Sequence, residues 1–310
     1  MITFDKLKLV ANIDAIEVVE VDKFEKVEKA GRRTSLKFFQ ETPFLLMIKV
    51  DYEEQEVVVE FCGKVLGRDY PKLISSETIK TCFENINALG FCHIDVEAMM
   101  EADVVKADVT KDVKGIDTHC LTSYFRSHIS NYKAYVSRMV RNGNCIIEKN
   151  VVTRKMKKRM TIYDKEKEMQ KVQNKNFVEA NHLEHAFDNT CRFELNLNSK
   201  EQVRTALQLN NNKLKNVLAS SARPILDFVN QVVDPAVPSV EVSDKKAYLT
   251  MLVLKDCDYD LEKVEAKMRE LYPARGTNFK KIMEPYRLMV DQLNHDKGDE
   301  MFSSVLRQLG

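Results

Sequence analysis

The run Phe44-Leu45-Leu46-Met47-Ile48-Lys49-Val50 is followed, beyond an acidic turn at residues 51–54, by Glu56-Val57-Val58-Val59-Glu60-Phe61. Short runs of β-branched and apolar residues that are separated by turn residues predict β-strands. Residues 1–70 have this character throughout, so we expect the first part of the chain to consist of strands.

Helical signals become stronger further along the chain. The predicted helices cover residues 76–89, 117–141, 199–232 and 243–310, and the later predicted strands cover 91–96, 104–113 and a segment that begins at Cys145. Strands with helices packed around them predict an α+β fold. We expect a central, largely antiparallel sheet flanked by helices, with a small C-terminal helical module.

A proline-rich segment divides the chain. Two prolines in Asp234-Pro235-Ala236-Val237-Pro238-Ser239 block regular structure and predict a linker. We therefore expect two domains, residues 1–235 and 243–310. The second contains only helical patterns, and a helix-turn-helix-like module is one form that it could take.

The composition is that of an ordinary globular protein. Charged residues make up 31% of the 310 residues and the formal net charge is +1, so overall charge does not indicate a nucleic-acid binder. The seven cysteines are scattered, which predicts reduced thiols in a cytoplasmic protein. No apolar run is long enough for a bilayer, so we expect no membrane partner.

The segment Thr161-Ile162-Tyr163-Asp164-Lys165-Glu166-Lys167-Glu168 follows a basic run, Arg154-Lys155-Met156-Lys157-Lys158-Arg159, and precedes Arg192-Phe193-Glu194-Leu195-Asn196-Leu197. On a strand, Tyr163 and Lys165 would project from one face, because side chains alternate. The simplest interpretation is a half-buried sheet tyrosine beside a solvated lysine. Spacing alone does not assign a reaction.

These segments resemble the conserved core of rolling-circle replication initiators, namely the filamentous-phage gene II/X replication proteins and the related Rep_trans plasmid initiators. The similarity covers roughly residues 45–235 and is specific in the Tyr163 segment. The resemblance implies an enzyme that nicks one strand of phage or plasmid DNA at an origin by tyrosine transesterification. Tyr163 would attack a phosphate, leaving a 5′-phosphotyrosyl link and a free 3′-OH that primes synthesis.

The resemblance also implies roles for the neighbours of Tyr163. Lys165 would hold the phosphate and Glu168 would orient Lys165 or act as a base. The implied partners are origin DNA, single-stranded or extruded as a hairpin, and a host helicase and polymerase in the host-cell cytoplasm. A homodimer is left open. The alternative is a non-catalytic DNA-binding or assembly protein that retains the same fold.

Three acidic residues are candidates for a metal site. Asp108 and Asp112 would face one side of a strand, and Glu194 would add a carboxylate from a neighbouring strand. Carboxylate oxygens suit Mg²⁺ or Mn²⁺, and the resemblance implies a metal-dependent endonuclease. The alternative is that the aspartates are exposed strand positions. The chain lacks the His-hydrophobe-His motif of many rolling-circle nucleases, and His93 with Asp95 is the second candidate pair.

The basic run predicts contacts with DNA. Its residues Arg154, Lys155, Lys157, Lys158 and Arg159 would bind phosphates and make binding sensitive to salt. The alternative is a solvated edge strand that lysines protect from aggregation. A second basic and aromatic segment contains Tyr124, Arg126, Tyr132, Lys133, Tyr135 and Arg138. As a helix it would stack bases or bury its rings in the core.

Overall fold

Most of the chain is a strand-rich domain around one broad sheet. The computed structural model describes residues 1–29, 32–129, 135–140, 143–150, 157–233, 245–272 and 279–310. The strands are β1 (Phe4–Asn12), β2 (Ile16–Val18), β3 (Glu25–Lys29), β4 (Arg32–Gln40), β5 (Leu46–Asp51), β6 (Glu56–Cys62), β7 (Cys92–Ile94), β8 (Asp103–Lys114), β9 (Tyr135–Met139), β10 (Cys145–Lys149), β11 (Arg159–Asp164) and β12 (Thr190–Leu197).

The described strands form two sheets. The large one has ten strands in the order β3-β4-β5-β6-β1-β8-β12-β11-β10-β9, and β2 pairs with β7 in a small second sheet. All pairings between these described strands are antiparallel. The order brings β8, β12 and β11 side by side, so segments that are distant in sequence become neighbours.

Helices surround the sheet, as the sequence predicts. They are α1 (Ile79–Asn87), α2 (Val96–Met100), α3 (Thr118–His128), α4 (Lys165–Met169), α5 (Val172–Asn181), α6 (Lys200–Ala206), α7 (Leu214–Leu218) and α8 (Pro224–Val232). The C-terminal part of the chain contains the helices α9 (Lys245–Asp256), α10 (Leu261–Leu271) and α11 (Phe279–Leu309). A 3-10 segment, Gly63–Lys72, follows β6. The α+β fold with a large antiparallel sheet, flanking helices and C-terminal helices is confirmed.

The two faces of the sheet differ in chemistry. Phe193 of β12 packs against Phe125 of α3, and Phe61 of β6 packs against Phe83 of α1, with ring centroids 6.0 and 5.8 Å apart. These rings belong to one apolar face, which is buried under helices. Because side chains alternate along a strand, the neighbouring residues, such as Glu194, lie on the opposite face. We call this second side the polar face.

The chain divides into two compact units. One contains Met1–Val233 together with Leu306–Gly310, and the other contains Asp234–Val305. The second unit has its own apolar core, which includes Leu254, Val264 and Met283. The described helices include none with the length and apolar composition needed to cross a bilayer.

Two of the predicted helices differ from the structure. Helix α3 ends at His128, and Tyr135 pairs with Lys149 in the sheet, so a single helix over 117–141 is wrong. The Tyr135 ring packs against Phe228 at 5.6 Å between centroids, so pairing and burial outweigh helical propensity there. The Tyr132–Lys133 part of the predicted aromatic helix lies outside the described residues. The predicted helix over 199–232 is three helices, α6 to α8.

Candidate active site

The Tyr163 strand ends earlier than its sequence pattern predicts. Strand β11 stops at Asp164, whose side chain accepts a hydrogen bond from the backbone N–H of Lys167 and caps α4. Lys165 is therefore the first residue of a helix, and the expectation that it shares a strand face with Tyr163 is wrong. The Lys165 ammonium is nevertheless 5.8 Å from the centre of the Tyr163 ring, so the two side chains are neighbours.

Tyr163 is hydrogen-bonded to a carboxyl group. Its hydroxyl donates to Oε1 of Glu194 at 2.5 Å. Glu194 pairs with Thr161, two residues before Tyr163, so the two side chains are diagonal neighbours on the polar face. Tyr163 is 8% exposed, and Glu194 is half-buried. The hydrogen bond between the Tyr163 hydroxyl and Glu194 therefore lies at the boundary between the buried interior and the solvent-accessible side of the sheet.

The surroundings of Glu194 raise its pKa to near neutrality. Burial raises its pKa to about 7, and the negative charge of Asp5 acts in the same direction. A carboxyl group with this pKa is partly ionised at neutral pH, so its ionised form is available to accept a proton from a neighbouring hydroxyl. Perturbed groups of this kind are concentrated at functional sites.

Arg192 is the centre of a buried charge network, a role that the sequence did not reveal. Its side chain is fully buried. Nε and Nη2 donate to the two carboxylate oxygens of Asp112 at 2.6 and 2.8 Å. Nη1 donates to Asp5 at 2.9 Å and to the Tyr70 hydroxyl at 3.0 Å. Asp112 on β8, which is next to β12, and Asp5 on β1, which is next to β8, therefore satisfy one guanidinium.

Lys165 and Glu168 extend this network. Lys165 is 2% exposed, and its ammonium donates to Oε2 of Glu168 at 2.7 Å and to the Tyr70 hydroxyl at 2.8 Å. Burial, and then the charge of Arg192, lower the pKa of Lys165. Glu168 also accepts from Asn174 at 2.8 Å. The geometry brings Glu168 and Lys165 together, while their roles toward DNA stay predictions.

Asp5 and Tyr70 join the site from residues 1–70, where the sequence predicts strands but no site residue; Tyr70 lies in a 3-10 segment and not in a strand. The Tyr70 hydroxyl donates to Asp5 at 2.8 Å, and Tyr70 lies in the 3-10 segment that covers part of the polar face. Asp5 lies on β1. Because β1 pairs with β8, Asp5 lies beside the strand that contains Asp112. Neither residue lies in a motif, so only the strand order could have revealed them.

The structure does not gather Asp108, Asp112 and Glu194 into a shared metal group. Within the described ranges, no three His, Cys, Asp or Glu side chains are placed to hold an ion. Asp112 is neutralised by Arg192 through both oxygens, and Glu194 is bonded to Tyr163. Asp108 accepts from Asn196 at 2.7 Å, and burial raises its pKa. These three carboxylates, as arranged among the described residues, do not fit one metal centre.

The residues of the second candidate metal site, His93 and Asp95, lie on different elements. Strand β7 ends at Ile94, and the Asp95 side chain accepts from the backbone N–H of Ala98 as the cap of α2. His93 is exposed on β7 and pairs with Glu17. This second candidate pair is therefore not on one strand, because Asp95 is the cap of a helix.

The basic run is not one continuous surface in its described part, while Arg154 and Lys155 lie outside the described residues. Arg159 is exposed on the polar face, where its Nε donates to Asn196 at 3.0 Å. Lys158 lies over the Phe228 ring of α8 at 5.0 Å, and burial lowers its pKa. Lys157 is near Glu148, at 3.9 Å. Arg159 is therefore the described member best placed to meet a strand on the polar face.

Comparison of the chain with models of known protein families, with curated proteins and with solved structures finds no match. The resemblance to replication initiators stays a prediction from the sequence motifs.

Proposed function

We propose that this protein cleaves a DNA strand by transesterification, with Tyr163 as the nucleophile and Glu194 as the general base. The observation that carries the proposal is the 2.5 Å hydrogen bond from the Tyr163 hydroxyl to Glu194. A nucleophile within hydrogen-bond reach of a base whose pKa is near the working pH is the arrangement that activation requires. The initiator-like motif around Tyr163 supports DNA as the substrate.

The reaction conserves atoms and charge. The phenolic oxygen of Tyr163 forms a bond to phosphorus while its proton passes to Glu194. The bond from phosphorus to the 3′ oxygen breaks, and that oxygen takes up a proton to become a free 3′-OH. The products are a 5′-phosphotyrosyl link and a primer end, as rolling-circle replication at an origin requires. Reversal of the same steps rejoins the strand.

The buried Arg192 lowers the cost of forming a phenolate at Tyr163. Burial raises the pKa of Tyr163 well above its usual range, and the nearby Glu194 charge adds to this. Arg192 acts in the opposite direction, and the Lys165 ammonium is 5.8 Å from the ring. When Glu194 takes the proton, its own negative charge disappears as the phenolate forms. The transfer therefore leaves the number of negative charges unchanged, and the positive charge of Arg192 favours the ionised form of either residue.

One observation favours a second candidate function. Tyr163 is only 8% exposed, so the pair with Glu194 would equally suit a structural hydrogen bond. The alternative is a non-catalytic DNA-binding or assembly protein in which the charge network stabilises the sheet. The two candidates differ in a single product, a covalent link between the protein and DNA.

Covalent capture separates the candidates. The purified protein is incubated with circular single-stranded DNA of random sequence that carries internal fluorescein, and resolved in denaturing detergent with and without protease. We expect a protease-sensitive labelled band with the wild type and none with Tyr163→Phe. Tyr52→Phe is the matched control, since Tyr52 is 49% exposed in the turn after β5. Labelling that persists in Tyr163→Phe would refute the assignment of the nucleophile.

A further inference from the structure

The polar face carries an exposed aromatic ring far along the sheet from Tyr163. Phe39 of β4 is 54% exposed. In register, Phe39 lies opposite Met47 of β5, which lies opposite Glu60 of β6, which lies opposite Lys8 of β1. Residues that face each other across antiparallel strands project to the same side of the sheet.

The same register connects this region to the proposed active site. Lys6, two residues before Lys8, lies opposite Asp108, and Asp108 lies opposite Asn196. Asn196 in turn lies opposite Arg159, which precedes Tyr163 by an even number of residues on β11. Phe39 and Tyr163 therefore belong to one side of one sheet.

Lysines line the same groove as the Phe39 ring. The Lys37 ammonium is 5.8 Å from its centroid. A groove of about 550 Å³ lies here, and its lining includes Lys6, Lys37, Phe39, Met47, Lys49 and Glu60. That volume is within the usual range for pockets that hold a small molecule.

The charge of the groove favours an anion. Three of those lining side chains are lysines. The lining carboxylate, Glu60, forms ion pairs with Lys6 at 2.8 Å and with Lys8 at 3.1 Å. Lys49 is bonded to Asp51 at 2.8 Å. A lysine ammonium has three N–H donors, so each of these lysines can also donate a hydrogen bond to a phosphate oxygen.

We propose that this groove binds single-stranded DNA, with a base stacked on Phe39 and phosphates held by Lys37 and Lys49. Aromatic rings between cations are how proteins hold single strands without reading sequence. A duplex hides the faces of its bases inside the stack, so it cannot use Phe39 in this way. The identity of the strand as the one that Tyr163 attacks rests on the proposed function, whereas its binding on this face does not.

Strand binding is measured in a Tyr163→Phe background, so that cleavage has no influence. The probe is fluorescein-labelled oligo-dT of about 15 nucleotides, a length near the upper site size of single-strand folds, titrated by anisotropy. We expect Phe39→Ala to weaken binding about ten-fold and Phe39→Tyr to keep most of it. Tyr52→Ala removes a comparably exposed ring, 49% against 54%, and should leave affinity unchanged. Thermal unfolding checks that each variant folds.

The lysines are tested through salt dependence. Lys37→Gln and Lys49→Gln should each reduce the slope of log affinity against log salt by about 0.7, the value for one phosphate contact on a single strand. Lys80→Gln, on the exposed side of α1, is the control and should leave the slope unchanged. A labelled duplex of equal length should lose no affinity in Phe39→Ala.

The outcomes separate this inference from the proposed function. If Phe39→Ala and Tyr52→Ala bind oligo-dT alike, the groove is not a single-strand site. If Phe39 matters but the wild type never captures DNA covalently, the groove is correct and the proposed function is wrong. If capture occurs at Tyr163 without any effect of Phe39, the strand takes another course across the sheet.

Discussion

The Tyr163 hydroxyl and Glu194 Oε1 are 2.5 Å apart, although the two residues come from different strands. The two residues are close because their strands, β11 and β12, are neighbours in the sheet, with β8 on the other side of β12. Glu194 has a pKa of about 7, owing mainly to burial and then to the charge of Asp5. An acidic residue with this pKa can take a proton at neutral pH and return it in the reverse step.

The pH dependence of cleavage should follow Glu194. The base acts only when ionised, and its pKa is raised to about 7. We therefore expect kcat/KM to fall about ten-fold for each pH unit below about 7 and to level off above it, because kcat/KM reports the free enzyme. Glu194→Gln should lower the rate by about 10² to 10⁴ and abolish this dependence. An unchanged pH profile in Glu194→Gln would exclude Glu194 as the base.

The Arg192 network should contribute strongly to stability. Asp112→Asn leaves a buried guanidinium without its bidentate carboxylate, and breaking a buried pair costs about 3–5 kcal/mol. Urea unfolding measures the change in free energy. The control is Glu101→Gln, which removes an exposed pair with Lys215 and should cost less than about 1 kcal/mol. Equal effects of the two changes would mean that solvent screens the Arg192 pairs.

Only some residues of the basic run should contribute to the binding of single-stranded DNA. Arg159 is exposed on the polar face, whereas Lys158 lies over the Phe228 ring. Arg159→Gln should therefore weaken binding of single-stranded DNA and lower the salt slope by about 0.7. Lys158→Met keeps the packing and should leave both quantities unchanged. If Lys158→Met reduces the slope as much as Arg159→Gln, the whole run binds phosphates, as its sequence predicts.

The predicted metal site can be tested by Mn²⁺ titration in a calorimeter. Each of its three carboxylates is engaged by a different side chain, so we expect no Mn²⁺ site that Asp108→Asn removes. The wild type and Asp108→Asn should give the same weak heats. Saturable Mn²⁺ binding that is lost in Asp108→Asn would restore the sequence-based metal assignment and require a rearrangement around Asp112.

The sequence predicts the strand-rich architecture because burial on one side of a sheet leaves a visible alternation, as in Arg192-Phe193-Glu194-Leu195. It does not reveal Asp5 or Tyr70, because their contacts with Arg192 depend on strand order and on the covering segment. Asp164 is ambiguous for a different reason, since an aspartate can end a strand or cap a helix. The sequence predicts a helix at Tyr135 because the pairing of Tyr135 with Lys149 is visible only in three dimensions.

Peptide mapping identifies the residue that forms the covalent link to DNA, which we propose is Tyr163. Protein captured on DNA is digested with nuclease and protease, and mass spectrometry locates the residual nucleotide. We predict a nucleotide adduct on the peptide that contains Tyr163, with no adduct in Tyr163→Phe. An adduct on another tyrosine, such as Tyr135, would show that Tyr163 is not the nucleophile, and DNA binding without any adduct would show that the protein does not form the link.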